Sequence, residues 1–335
     1  MAARRLALPV VDLAVAEVSR VASLKAAARS HGFFYVVNHG VDQTRAVNAL
    51  QHFFALEEQE KMQAHKNKTG NFRGYISFFE QGDYGVDESD ARINANDGTT
   101  AAPEAKMDFK EVFHIGTELP LEHPYYNELL YSSNVWPKGQ VELREAVSDY
   151  YEQVYSLSND MFQLFALALG LPRNSLLDKA MSTPMNSLNC VHYPPLSSFP
   201  GSLDADQLGI GAHTDFEAFT LLNQHGPSDA CLDILQDGQW CPVPPIDGAL
   251  VVNIGDMLAR WSGDLFQSTV HRARNHPTTD RFSLAFFRGP DFDAVLSPAE
   301  IKGKVRDYPP IPAGQHMLSR ISTANEALLA GESPP

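Results

Sequence analysis

His213 and Asp215 stand one residue apart in GAHTDFEAFTLLNQ, just ahead of an apolar run. In an extended strand, residues i and i+2 project to the same face, so this imidazole and carboxylate reach one small target together. A metal ion is the obvious target. One His-x-Asp pair is about what chance places in a chain of this composition, so a third ligand has to make the case. His192 sits in VHYPP, His225 at a strand end before Gly226-Pro227, His276 in a turn and His316 in the tail. His271 differs, because it lies inside the β-type run STVHRAR. Arg281-Phe282-Ser283 opens another such run, and residues 275–280 between them are turn formers. The pattern predicts a hairpin with His271 opposite Ser283 and Ala273 opposite Arg281. Arg281 and Ser283 then share a face with His271.

Two imidazoles and one carboxylate on one face of a metal leave three positions open, the ligand set of non-haem Fe(II) oxygenases. Zinc enzymes use the same residue types, so the triad alone selects no metal. Arg281-x-Ser283 adds the discriminating chemistry. A guanidinium fork beside a hydroxyl binds a carboxylate through charge-assisted hydrogen bonds, so a short dicarboxylate could bridge metal and arginine. Arg320-Ile321-Ser322 repeats the pattern in a helical context, where i and i+2 diverge. Gly209-Ile210-Gly211 lacks the third glycine of a nucleotide-binding loop. Glu217 would share the ligand face on an ideal strand. It is a substrate contact, a partner of the ligands, or a residue past the strand end, and the last reading is preferred.

Positioning these groups requires a β framework. LNCVHY, AFTLLNQ, CLDILQ, GALVVNIG, STVHRAR and RFSLAFF read as short strands between turn formers, the texture of an antiparallel sandwich or barrel. Ahead of them, LPVVDL and GFFYVVNHG are β-rich, and residues 15–30 have helical spacing. Val47, Leu50, Phe53 and Phe54 fall on one face of a second helix. From Gly139 to Leu169 the apolar positions keep helical period until Gly170 and Pro172 stop it, and this long helix is the expected brace behind the sheet. Residues 314–329 read as a terminal helix. Residues 81–106 are polar and Gly-rich, the composition of a long loop and a candidate lid. With no linker-like break, the plan is one domain over 1–335. A helix-rich part (1–180) precedes a β core (181–300) and a helical tail (301–335), an α+β chain with a mainly β core.

With the triad and Arg281-x-Ser283 in view, the sequence resembles the 2-oxoglutarate/Fe(II)-dependent dioxygenases of the isopenicillin N synthase type. The likeness extends over nearly the whole chain, through LPVVDL, GFFYVVNHGV, the Asp-x-Lys-Glu stretch in MDFKEVFHIG, HYPP and VVNIGDMLARWSGDLFQSTVHR. It implies a double-stranded β-helix (jelly roll) with N-terminal helices. It also implies Fe(II) on His213, Asp215 and His271, and 2-oxoglutarate held by Arg281 and Ser283 with Tyr193 beside it. The reaction implied is oxidation of a C–H bond of a small organic molecule by O2, with succinate and CO2 as co-products. Asn186 and Asn189 match positions that contact the base in thymine hydroxylase. An arginine there is replaced by Asn189, which argues against thymine. Phe216 and Phe287 match aromatic substrate contacts. Products of secondary metabolism are the expected context. An oxidase that uses O2 without 2-oxoglutarate is the alternative, and a non-catalytic binding protein is disfavoured because every ligand position is filled.

The composition fits such an enzyme. The chain has 335 residues, 44% hydrophobic and 20% charged, ordinary for a globular protein. A net charge of −15 without a basic run argues against nucleic acid and anionic membranes as partners. Three cysteines match no zinc or redox spacing and read as reduced thiols of a cytoplasmic protein. The N-terminus does not read as a signal peptide, and no window approaches a membrane span. Nothing in the sequence sets the oligomeric state.

Overall fold

In the computed structural model of the chain, the described residues are 7–68, 72–81, 107–199, 203 and 207–331, with side chains described to residue 322. Except for Gln81, the segment read as a lid lies outside them.

The first part runs β1 (Val10–Asp12), α1 (Glu17–Ser30), β2 (Phe33–Val37), α2 (Thr44–Phe54), α3 (Glu58–Lys61), β3 (Gly74–Ile76), β4 (Glu111–Gly116) and α4 (Val141–Ala168). The β-rich part follows as β5 (Ser187–Tyr193), β6 (Ile210–His213), β7 (Phe219–His225), β8 (Leu232–Gln236), β9 (Gln239–Val243) and β10 (Leu250–Ile254). Then come α5 (Asp256–Trp261), β11 (His271–Ala273), β12 (Arg281–Arg288), the short pair β13 (Val295–Leu296) and β14 (Ile311–Pro312), and α6 (Ala313–Gly331).

Two sheets face each other. The larger has the order β1-β2-β10-β7-β12-β5-β4-β3, and the smaller β6-β11-β8-β9. The first four strands of the chain thus extend the larger sheet of the core. The helices cover its outer face. On α2, Val47, Leu50, Phe53 and Phe54 are buried as their spacing predicts. α4 buries Leu143, Val147, Tyr150, Val154 and Met161 along one side. It stops at Gly170, whose φ of +76° is a left-handed conformation that costs glycine little.

Period-two alternation divides each central strand between two environments. On β12, Leu284 and Phe286 join the core under the helices, whereas Ala285 belongs to an apolar cluster between the sheets. Arg281, Ser283 and Phe287 have the same parity as Ala285 and face the same interior.

The predicted hairpin does not form. β11 pairs with β6 and β8 in the smaller sheet, while β12 pairs with β5 and β7 in the larger. Residues 274–280 therefore carry the chain from one sheet to the other. His271 and Arg281-x-Ser283 meet across the sandwich and not across a turn. A hairpin and a crossover of this length use the same turn-forming residues, so local sequence does not separate them.

Candidate metal centre

His213 is the last residue of β6 and His271 the first of β11, and the two are paired directly. Their ring centroids lie 4.2 Å apart. Asp215 lies beyond the end of β6, not on the strand as its spacing from His213 predicts. It still converges, with Oδ1 3.6 Å from Nε2 of both His213 and His271. The three ligand atoms lie within 4.8 Å of one another, and this is the triad that could hold a metal among the described residues.

Each ligand is oriented through its other polar atom. Nδ1 of His213 is 2.8 Å from the Gly211 carbonyl and Nδ1 of His271 is 3.1 Å from the Thr269 carbonyl. A carbonyl only accepts, so both rings donate from Nδ1 and turn the Nε2 lone pair to the site. Asp215 Oδ2 accepts from Asn253 Nδ2 at 2.5 Å and from the Thr220 hydroxyl, leaving Oδ1 free. Burial, then neighbouring His271, holds the His213 imidazole down at about 3, so it is a neutral ligand. Burial raises the Asp215 carboxyl, but the two histidines and the Thr220 and Asn253 hydrogen bonds outweigh it and hold it below the usual range. The neutral His213 imidazole, the His271 imidazole and the ionised Asp215 carboxylate, with their ligand atoms gathered at one point, fit Fe(II).

The loop bearing Asp215 is pinned from the junction of β10 and α5. The Asp256 amide donates to the Asp215 carbonyl at 2.8 Å. A Cβ on Gly255 would stand 2.2 Å from the Glu217 carbonyl oxygen, so only glycine permits this approach.

Arg281 is buried on β12 opposite Tyr193 of β5, with its guanidinium 4.5 Å from the Tyr193 ring centroid. Nη2 donates to Gln224 Oε1 at 3.2 Å, while Nη1 is buried without a hydrogen-bond partner. No carboxylate lies within ion-pair reach of it among the described residues. Ser283 is buried on the same interior face, opposite Gln224 and Val191. A buried guanidinium with a spare donor beside a hydroxyl fits the far carboxylate of a dicarboxylic acid.

A cavity of about 370 Å³ opens on His213 and Asp215. Asn186, Asn189, Phe216, Glu217 and Phe287 all line it, and Met317 and Ile321 of α6 close one side. Tyr193 packs under Arg281 instead. Glu217 lies past the end of β6, yet it still faces the cavity. Burial, then the Asp215 carboxylate, pushes the Glu217 carboxyl up to about 8.

Sequence reading missed several supports. Buried Arg288 donates to Asn186 Oδ1 at 2.9 Å, to Asn159 Oδ1 at 2.9 Å and to the Ala180 carbonyl at 2.7 Å. With the Gly289 amide also donating to Asn186 Oδ1, the orientation of that amide is fixed. The Asp-x-Lys-Glu stretch is structural: Asp108 pairs with Lys110 at 2.9 Å and accepts from the Gly211 amide at 3.1 Å. Glu111 gathers Lys61, Tyr75 and His192 at 2.6–2.7 Å. A single Asn or Arg inside an apolar strand (LVVNI, FSLAFFR) is the available signal, since a buried polar group needs a partner.

Known proteins resemble this chain in sequence and fold. Residues 185–290 match the 2OG-Fe(II) oxygenase superfamily, and residues 8–139 match the N-terminal family described as non-haem dioxygenase in morphine synthesis. A homoarginine-6-hydroxylase of Oryza sativa subsp. japonica is 31% identical over 90% of this chain and 88% of its own. A 2-oxoglutarate-Fe(II) type oxidoreductase of Emericella nidulans is 33% identical over 88% and 82%. A clavatol oxidase of Penicillium crustosum is 30% identical over 91% and 90%. Among solved structures, a 2OG-Fe(II) oxygenase family protein of Caulobacter crescentus superposes with a TM-score of 0.76 at 28% identity, covering 94% of this chain and 98% of that one. A thymine hydroxylase of Neurospora crassa with alpha-KG bound has the same fold, at a TM-score of 0.74 and 24% identity over 95% and 97%. The triad, the buried arginine and these likenesses converge: the chain belongs to the 2OG-Fe(II) oxygenase superfamily and is a 2-oxoglutarate-dependent dioxygenase.

Proposed function

We propose that His213, Asp215 and His271 hold one Fe(II), that Arg281 and Ser283 hold the distal carboxylate of 2-oxoglutarate, and that a small organic substrate is oxidised in the cavity lined by Asn186, Asn189, Phe216, Glu217 and Phe287. The whole chain, 1–335, works as one oxygenase domain. The observation that carries this is the set of three oriented lone pairs, with a buried, carboxylate-free arginine on the interior face of the same sandwich.

The bound iron supplies O2 activation coupled to decarboxylation of 2-oxoglutarate, which yields succinate and CO2. The chain's own residues do the rest. Gly211 and Thr269 carbonyls fix the ligand tautomers. Asn253 and Thr220 keep the Asp215 carboxylate ionised and single-sided. Arg281 neutralises the cosubstrate carboxylate away from water, with its cationic face on Tyr193. Phe216, Phe287, Met317 and Ile321 exclude water from the C–H bond to be attacked.

The named relatives include a homoarginine-6-hydroxylase and a clavatol oxidase at nearly equal identity, so likeness alone selects no substrate. Three buried cysteines outside any disulfide and the net charge of −15 support a cytoplasmic protein that binds neither nucleic acid nor membrane. Among the described residues, no helix is long and apolar enough to cross a membrane. The test is Fe(II)-dependent succinate formation from 2-oxoglutarate under O2, which Asp215→Ala should abolish. Succinate formation persisting in a folded Asp215→Ala protein would overturn the ligand assignment.

A further inference from the structure

We infer that Glu217 selects the substrate by pairing with a basic nitrogen, so that the molecule oxidised is an amine or a guanidine. This rests on the cavity being the substrate site. Glu217 lines that cavity two residues from Asp215, and its backbone is fixed. The Met257 amide donates to its carbonyl at 3.2 Å, and Gly255 packs against the same atom. The carboxylate itself has no basic partner. Among the described residues no ion pair forms to it, and its charged neighbours include the carboxylates of Asp215 and Asp256.

The nearby cations are committed elsewhere. Arg320 lies over the Phe216 ring at 4.7 Å and reaches Asp256 at 3.3 Å. Lys110 pairs with Asp108 at 2.9 Å, Lys66 with Glu80 at 3.4 Å, and Arg73, which also lines the cavity, donates to the Leu130 carbonyl at 2.7 Å and to His114 Nε2 at 3.1 Å. The cavity walls contributed by Phe216, Phe287, Met317 and Ile321 are apolar. A partly buried carboxyl group with no cation paired to it, beside the Asp215 carboxylate, is unfavourable as an ion in a resting protein. A ligand that brings the cation turns that cost into selectivity, because a neutral analogue leaves the carboxylate unpaired. The pairing also fixes orientation: a basic nitrogen at Glu217 anchors the molecule beside the Asp215 ligand, with its carbon chain running along the aromatic walls.

The experiment uses the full chain, loaded anaerobically with Mn(II) in place of Fe(II) and with 2-oxoglutarate. It is titrated calorimetrically with small alkyl and arylalkyl amines and guanidines, each matched with its isosteric alcohol. The basic member of a pair should bind roughly ten- to a hundredfold more tightly than the alcohol, as for a charge-assisted hydrogen bond in a protected site. Glu217→Gln should erase that preference while keeping the alcohol's affinity, and Glu217→Asp should keep part of it. Thermal unfolding confirms that each variant is folded. Alcohols binding as tightly as amines, a preference that survives in Glu217→Gln, or basic probes failing to bind when Mn(II) and 2-oxoglutarate do bind would each overturn the inference. Failure of the underlying oxygenase site would appear separately, as loss of metal-dependent 2-oxoglutarate binding in the wild-type protein.

Discussion

Replacing Asn253 by Leu tests how the iron ligand is held. Asn253 donates to Asp215 Oδ2 at 2.5 Å, and Thr220 donates to the same oxygen from the paired position on the neighbouring strand. Both side chains are buried. Hydrogen bonds to a charged acceptor are worth about 1.5–3 kcal/mol each. Asn253→Leu nearly conserves volume and Thr220→Val is isosteric, so packing changes little. While one donor remains, each single variant should weaken Fe(II) by roughly tenfold, the lower end of the range for residues behind a metal ligand. The double variant leaves a buried carboxylate oxygen with no donor, so its loss should exceed the sum of the single losses. Anaerobic competition for Fe(II) against a chromophoric chelator measures this directly. Suppose folded Asn253→Leu bound Fe(II) within about twofold of wild type. The account of how Asp215 is kept ionised and one-sided would then be wrong.

The other expectations follow the same logic. Arg281→Leu should weaken 2-oxoglutarate ten- to more than a hundredfold with Fe(II) affinity intact, and Arg281→Lys should recover only part because an ammonium cannot copy the fork; calorimetry on the metal-loaded protein reads both. Ser283→Ala removes one neutral hydroxyl and should cost about 0.5–1.5 kcal/mol of 2-oxoglutarate affinity, a few-fold effect. Arg288→Met removes the donors of Asn159, Asn186 and the Ala180 carbonyl, and should lower stability in denaturant by about 2–5 kcal/mol. Gly255→Ala places a Cβ 2.2 Å from the Glu217 carbonyl, so the loop carrying Asp215 must move and Fe(II) affinity should fall.

The metal ligands were legible in the sequence because each carries a type and a context that few other residues share. His213 and Asp215 sit together before an apolar run, and His271 is an imidazole inside a β-type run. Arg281 and Ser283 face the interior on one side of their strand although the hairpin meant to position them does not exist. Sequence shows that two runs are strands and that a turn lies between them, but not which sheet each joins. That choice is made by long-range pairing, β11 with β6 and β8, and β12 with β5 and β7. The parity of Arg281 and Ser283 survived because it depends only on their own strand. Asp215 reached the site without lying on the strand, since the Asp256 amide and Gly255 shape its loop. Asn253, Thr220 and Arg288 were missed because each lies in a run that otherwise reads as core. Glu217 was legible as lying past the strand end, but its facing the cavity depends on the same loop.

An anaerobic titration of wild type, Asp215→Ala and Arg281→Leu with Fe(II), then with 2-oxoglutarate, tests the central assignment most directly. The account predicts one Fe(II) per wild-type chain and 2-oxoglutarate binding that requires it. Asp215→Ala should lose both ligands, and Arg281→Leu should lose 2-oxoglutarate alone. Full Fe(II) affinity in Asp215→Ala, or undiminished 2-oxoglutarate binding in Arg281→Leu, would contradict it.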